Sequence, residues 1–321
     1  MQRIKVAVLR GGPGPEHDVS LKTGKNVLEN LPDKYIPIDI FVAKDKSWYL
    51  DGVSVSPEKI FSNVDVVFNA MHGEYGEDGK VQQLMDHFAV KYTGSKALSS
   101  ALGMNKVLAK DIFIRAGLKT PIFKVIKKGD NLEGIDQKIF KSFPMPGIVK
   151  PGGSGSSIGV SLVNVFEDII PAIEKALKYS DVIIVEEFIK GKEATCGVIE
   201  NFRDESLYAL LPLEITKPKE FEFFGYEAKY SGCSTEACPG SFSESEKKTL
   251  QSMAIEAHKV LGLKHYSRSD FIVSEKRGVY ILEVNTLPGL PNESLFPKSL
   301  EAVGCSMSFF LDHVINLALQ H

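Results

Sequence analysis

The chain reads as an α/β protein of more than one domain, opening on a parallel sheet. Three observations carry this expectation. Apolar strand-like runs alternate with helical sequence from Ile4 to Gly94, the pattern of a parallel sheet with helices on its faces. At 321 residues the chain is too long for one simple core, which points to two or three domains. Its 43% hydrophobic and 25% charged residues are ordinary for a globular protein.

The elements follow in order. Ile4–Leu9 alternates as a strand, Gly11–Pro15 is a glycine-rich turn, and Glu16–Asn30 reads as a helix. Ile38–Val42 and Val64–Phe68 are further β runs, and Val90–Gly94 closes the first unit, residues 1–95. The middle unit, 96–185, opens with a helix over Met104–Ala116. The strand Ile148–Lys150, the loop Pro151–Gly159, the strand Val160–Val163, the helix Phe166–Tyr179 and the strand Val182–Val185 complete it. The last unit, 186–321, has strands at Thr195–Ile199 and Leu207–Pro212 and a polar aromatic loop over Lys217–Phe242. Helices over Glu244–Leu261 and Ser306–Leu319 flank two further strands.

Composition also excludes. A net charge of -3 gives no reason to expect nucleic acid or an acidic membrane as a partner. No apolar run approaches the length of a membrane span, and the N-terminus alternates like a strand and has no signal-peptide core. The four cysteines, Cys196, Cys233, Cys238 and Cys305, form no C-x-x-C pair, so a reducing cytoplasm is expected.

The chemistry concentrates near the end of the chain. In a strand, side chains two apart share a face. Glu283 and Asn285 therefore share one, with Leu282 and Val284 facing the other way, and Arg268 and Asp270 share another. The polar, glycine-ended stretch Ser274–Gly278 between them reads as a hairpin loop. The hairpin would present Arg268, Asp270, Glu283 and Asn285 together. Two carboxylates and an amide oxygen suit Mg²⁺ carried by phosphates; the plainer alternative is a solvated polar face.

Other segments add to this. Lys150 ends a strand just before Pro151–Gly159, where four glycines let backbone N–H groups approach an anion, although no Walker A pattern is present. Glu16, at a helix start on the ligand edge of a parallel sheet, could hold a substrate ammonium or simply favour the helix dipole. His72 lies in a glycine-bearing loop on that same edge. Val185–Gly191 could frame an adenine, with an acid accepting from its amino group and Phe188 or Ile189 packing beside it, or could be an ordinary connection.

Taken in order, these motifs resemble the D-alanine–D-alanine ligase family of ATP-grasp enzymes over nearly the whole chain. The matching stretches are Gly11-Gly-x-x-x-Glu16-His-Asp-Val-Ser20, His72-Gly-x-x-Gly-Glu-Asp-Gly79, Tyr92-Thr-Gly94-Ser, Met104-Asn-Lys106 and Val149-Lys150-Pro. They continue as Gly155-Ser156-Ser157-x-Gly159, Tyr226-Glu-Ala-Lys229-Tyr230, Arg268-Ser-Asp270 and Glu283-Val-Asn285-Thr-x-Pro-Gly289.

The resemblance implies a three-domain ATP-grasp fold, with nucleotide held between the central and C-terminal domains. It implies ligation of two D-alanines through an acyl phosphate, with ATP and two Mg²⁺ (or Mn²⁺), in a cytoplasmic homodimer. Glu16 would bind the first D-alanine's ammonium with His72 nearby, and Ser156 and Tyr230 would complete a hydrogen-bonded group with it. Lys106 and Lys150 would hold phosphates under the loop Gly153–Ser157, which includes Ser154, and Lys229 would contact the transferred phosphate. Glu186, Glu187, Phe188 and Ile189 would surround adenine, and Glu193 would bind ribose. Asp270, Glu283 and Asn285 would hold the metals, and Arg268 and the Gly289 N–H would form the oxyanion hole. Ser294 and Leu295 would receive the second D-alanine's carboxylate.

The resemblance also implies that Tyr230 favours D-alanine over D-lactate or D-serine as second substrate. Departures from the family pattern are Pro13-Gly14-Pro15 before the glutamate, Gln82–Asp86, and Ser269, where an aliphatic residue is usual. A nucleotide-binding sensor on the same fold would need neither the metal ligands nor the oxyanion donor.

Overall fold

Alternation in Ile4–Gly11 (β1) sends Val6 and Val8 to one side and Ala7 and Leu9 to the other, and all four are fully buried. Such a strand needs cover on both faces, and the chain supplies it. The structure, a computed structural model, describes residues 3–153, 159–216 and 235–320.

Tyr35–Val42 (β2) runs parallel to β1. Trp48–Leu50 (β3) and Val53–Ser54 (β4) extend that edge antiparallel, and Val66–Asn69 (β5) flanks β1 in parallel on the other side. The order is β4-β3-β2-β1-β5. Val81 and Met85 of the helix Lys80–His87 pack with Ala7 and Leu9. Val27 of the helix His17–Asn30 and Phe310 and Val314 of the helix Met307–Gln320 pack with Val6 and Val8. The end of the chain thus returns to its first sheet, as expected of a parallel sheet covered by helices.

Phe123–Lys127 (β6), Gly147–Pro151 (β7), Ser161–Val163 (β8) and Val182–Glu187 (β9) form an antiparallel sheet in the order β6-β9-β7-β8. Val149, Ile183 and Val185 pack against the helix Ile169–Ala176 on one face. Alternation sends Lys150 and Glu186 to the other face, where they meet at 2.5 Å.

The third sheet contains Lys192–Phe202 (β10), Glu205–Ala209 (β11), Leu213–Thr216 (β12), Thr235–Ala237 (β13), Tyr266–Ser274 (β14) and Gly278–Asn285 (β15). Its order is β13-β12-β10-β14-β15, with β11 also on β10. Cys196, Val198, Phe271, Ile281 and Val284 pack against the helix Glu244–Val260 and Phe113 of the helix Lys106–Arg115. A capping box starts Glu244–Val260: the Ser243 hydroxyl accepts the Glu246 N–H and the Glu246 carboxylate accepts the Ser243 N–H. Such a cap contributes about 1 kcal/mol. No single helix among the described residues is long and apolar enough to cross a membrane.

The helix expected over Met104–Ala116 is Lys106–Arg115, and a further helix, Ala97–Met104, precedes it across a break at Asn105. The Asn105 side chain accepts from the N–H groups of Val107 and Leu108, both at 3.1 Å, so it caps a new helix instead of continuing the old one. The strand expected over Leu207–Pro212 breaks before Pro212, which has no N–H to give a ladder. Of the expected loop Lys217–Phe242, Thr235–Ala237 is strand β13, and residues 217–234 lie outside the described residues.

Candidate active site

The hairpin expected near the chain's end is β14 paired antiparallel with β15, Arg268 opposite Asn285 and Asp270 opposite Glu283. Asp270 is surrounded by donors. Arg268 reaches it twice, at 2.8 and 2.9 Å, Asn285 Nδ2 once at 3.0 Å, and Thr195 Oγ1 of β10 once at 2.8 Å. Burial works against the Arg268 charge, but Asp270 outweighs it and raises the guanidinium's pKa. Among the described residues no group of three or more His, Cys, Asp or Glu is placed to hold a metal. The donor set of two carboxylates and the Asn285 amide oxygen nonetheless has the hard-oxygen chemistry that suits Mg²⁺.

One feature corrects the simple alternation. The register shifts after Asp270, so that Phe271 opposes Ile281 and Leu282 is the extra residue of a bulge. Leu282 therefore packs with Ile189, Ile272 and Tyr280. Ile272 shares a face with Asp270, so Leu282 lies on the polar side and not opposite it as alternation alone predicts.

The helix Lys106–Arg115 reaches two sheets. Lys106 donates to Glu283 of β15 at 2.6 Å, and its N–H bonds the Gly152 carbonyl just past β7 at 2.9 Å. Burial opposes the Lys106 charge, but Glu283 more than offsets this and raises its pKa. One turn on, Lys110 lies 2.8 Å from Glu186 of β9, whose other oxygen is 2.5 Å from Lys150 of β7. Burial works against the Glu186 charge, yet the two lysines hold its pKa below the usual value. Gly153 is exposed, with open space where a side chain would start. Ser154, Ser156, Ser157, Lys229 and Tyr230 lie outside the described residues.

Glu187 faces away from Glu186. It accepts the Ile122 N–H at 3.0 Å and pairs with Arg277 at 2.8 Å, so the structure does not bring it to Lys150. The Phe188 N–H is spent on the Pro146 carbonyl at 3.0 Å. Ile189 lies buried in the apolar group with Ile272 and Tyr280, and Glu193 pairs across the ladder with Ile272. An apolar patch beside polar edges is what a planar base requires.

On the side of the first sheet, Glu16 precedes the helix His17–Asn30 and lies against Gly73. A Cβ on Gly73 would come 2.2 Å from the Glu16 carboxylate, and φ there is +65°, a conformation that favours glycine. Glu77 accepts the Gly73 N–H at 2.7 Å and the Leu287 N–H at 3.1 Å. Burial, then the charge of Glu16, pushes the Glu77 pKa up to about 8. His72 bonds Thr23 at 2.7 Å, and burial lowers its pKa to about 4. Asn26 donates to the Leu290 carbonyl at 2.7 Å. These bonds tie the first sheet's loops to the turn that carries Gly289. Ser294 lies beside Gly289 and precedes the helix that opens at Leu295.

A cavity of about 30 Å³, lined among others by Glu16, Glu77, Lys106, Glu283 and Asn285, marks where the three parts converge. Sequence reasoning left two groups here without a role. Lys110 is a lysine one turn after Lys106 and looks like solvated helix surface, while Glu77 lies inside a quoted motif and was given no part.

The chain is similar to known proteins in sequence and in fold. The family model described as "D-ala D-ala ligase C-terminus" matches residues 112–316, and that for the N-terminus matches 5–60 and 51–95. A protein of Desulfotalea psychrophila named D-alanine–D-alanine ligase is 36% identical, covering 99% of this chain and 96% of its own. One of Syntrophobacter fumaroxidans with the same name is 37% identical, covering 99% of both. The chain belongs to the D-alanine–D-alanine ligase family. Its fold is that of the ATP-grasp ligases. The ligase structure from Coxiella burnetii matches with a TM-score of 0.86 at 28% identity, covering 100% of this chain and 95% of that one. The VanG D-Ala:D-Ser ligase of Enterococcus faecalis matches with a TM-score of 0.86 at 30% identity, covering 99% of this chain and 100% of that one.

Proposed function

We propose that this chain joins two D-alanine molecules into D-alanyl-D-alanine at the expense of ATP, supplying a peptidoglycan precursor. The carrying observation is the shared face of Arg268, Asp270, Glu283 and Asn285, with Lys106 joined to Glu283 and Glu16 lining the same cavity.

Glu16 holds the ammonium of the first D-alanine, with His72 behind it. Lys106 and Lys150, free to leave their carboxylate partners, take the nucleotide phosphates, helped by Gly153, Ser154, Ser157 and Lys229. Ile189, Phe188 and Glu186 receive the adenine and Glu193 the ribose; Glu187 acts from behind by fixing the connection to Arg277. Asp270, Glu283 and Asn285 would hold Mg²⁺, which offsets phosphate charge when bound.

The γ-phosphoryl group passes to the first D-alanine's carboxylate, releasing ADP. The amine of the second D-alanine, its carboxylate at Ser294 and Leu295, attacks the acyl phosphate and expels phosphate. Arg268 and the Gly289 N–H stabilise the oxyanion, a contribution of roughly 3 kcal/mol for one such donor. Ser156 and Tyr230 complete the group around Glu16. The working parts are residues 1–95, 96–185 and 186–321 of a cytoplasmic homodimer.

The test is phosphate release from ATP and Mg²⁺ with D-alanine alone, with L-alanine alone, and with D-alanine plus D-serine or D-lactate, products identified by mass. Dipeptide from D-alanine alone is the expected result. Release only in a mixture would move the second substrate, and no release at all would sink the reading.

A further inference from the structure

Lys110 is 0% exposed, and a buried ammonium is rare unless paired. Its partners are Glu186 at 2.8 Å, the Thr120 hydroxyl at 2.7 Å and the Phe123 ring, 5.4 Å away. Burial pushes its pKa down to about 8, against the pull of Glu186. The ligation scheme uses Lys106 and Lys150 for phosphate and leaves Lys110 without a task.

Its effect falls on Glu186. One oxygen of that buried carboxylate meets Lys150. The other, Oε2, lies beside Lys110 yet accepts no well-aligned hydrogen bond among the described residues. It is a buried acceptor with a cation next to it and no donor aligned on it among the described residues. When Lys150 turns to phosphate, Lys110 is the counter-charge that stays. Without it, a carboxyl this buried takes up a proton. A protonated carboxyl donates as well as accepts, whereas an ionised one only accepts. Adenine offers an amino donor at its six-position; hypoxanthine offers a carbonyl there.

We propose that Lys110 is a positioning residue for nucleotide choice: it keeps Glu186 ionised and oriented, so that the site selects a base carrying an exocyclic amino group over one carrying a carbonyl. This rests on the reading of Glu186 as the adenine acceptor.

The test compares kcat/KM for ATP and for ITP at saturating D-alanine in wild type, Lys110→Met, Lys110→Arg, Glu186→Gln and the double variant Lys110→Met/Glu186→Gln. Lys110→Met should lower the ATP-to-ITP ratio by about 10- to 100-fold, the worth of a hydrogen bond to a charged group, with the change falling on KM for ATP. Lys110→Arg should restore part of it. Adding Lys110→Met to Glu186→Gln should leave the ratio where Glu186→Gln alone puts it. An unchanged ratio in Lys110→Met overturns the proposal. So does a further drop in the double variant, which removes both charges together and reads the outcome even if the single variant fails to fold. If Glu186→Gln itself keeps the wild-type ratio, the adenine reading fails and the proposal with it. That result differs from one in which Glu186→Gln lowers the ratio and Lys110→Met does not.

Discussion

The Glu77 carboxylate accepts the Leu287 N–H at 3.1 Å, joining the loop beside Glu16 to the turn that carries Gly289. Its other oxygen holds the Gly73 N–H. One side chain therefore ties the Gly73 loop, beside Glu16, to the turn that carries Gly289.

The same residue makes stability depend on pH. Its folded pKa, about 8, lies above the ordinary 4.5, so the folded state keeps a proton the unfolded state releases. That contribution is fully present below about 4.5 and is lost as pH rises through about 8. Glu77→Gln should flatten this slope. Urea unfolding at pH 5 and pH 8.5 reads it, and equal slopes in variant and wild type would refute the assignment.

His72 acts in the opposite direction. Its folded pKa of about 4 lies below the ordinary 6.5, first because it is buried and then because Arg268 repels a proton. Its contribution is present above about 6.5 and is lost as pH falls through about 4. His72→Gln, which can keep a bond to Thr23, should lose less stability between pH 6.5 and 4 than wild type. Thermal melts across that range check it.

Glu283→Gln should reduce turnover by about 100-fold or more while leaving the fold intact, because it removes a charge opposite Asp270 and keeps a partner for Lys106. Phosphate release and circular dichroism measure the two halves. Near-normal activity would overturn the metal assignment.

Ser269 is buried between Cys196 and Val284 in the ladder, and among the described residues its hydroxyl has no hydrogen-bond partner. An unsatisfied buried hydroxyl costs roughly 1–3 kcal/mol. Ser269→Ala should stabilise the protein by about 1 kcal/mol with activity unchanged. A urea midpoint that rises at constant slope would show it; a lower midpoint would contradict it.

The hairpin was legible because period-two alternation and a glycine-ended loop together fix which side chains face one another, and Arg268, Asp270, Glu283 and Asn285 obey both. The first sheet was legible for a similar reason, since β1 is apolar on both faces. Lys110 was not, because a lysine one turn from another reads as solvated surface until a buried acid from a distant strand is placed beside it. The outward turn of Glu187 was hidden by the same distance: Arg277 lies far along the chain. Asn105 concealed a helix boundary, its capping bonds being invisible in a pattern of apolar residues.

The bulge at Leu282 sets which side chains of this strand share a face. On the chain side of it, Tyr280 joins Leu282 in flanking Ile189; on the other, Glu283 and Asn285 stand by Asp270. One extra residue puts two neighbours of a single strand, Leu282 and Glu283, on the same face, an apolar side chain next to a charged one. Run straight, the same residues would exchange inner and outer positions for everything before Glu283, sending Tyr280 toward the helix Glu244–Val260 and Ile281 to the side of Asp270. Shortening the strand by that one residue would keep both on their present faces, so what the bulge adds is the place of Leu282 itself.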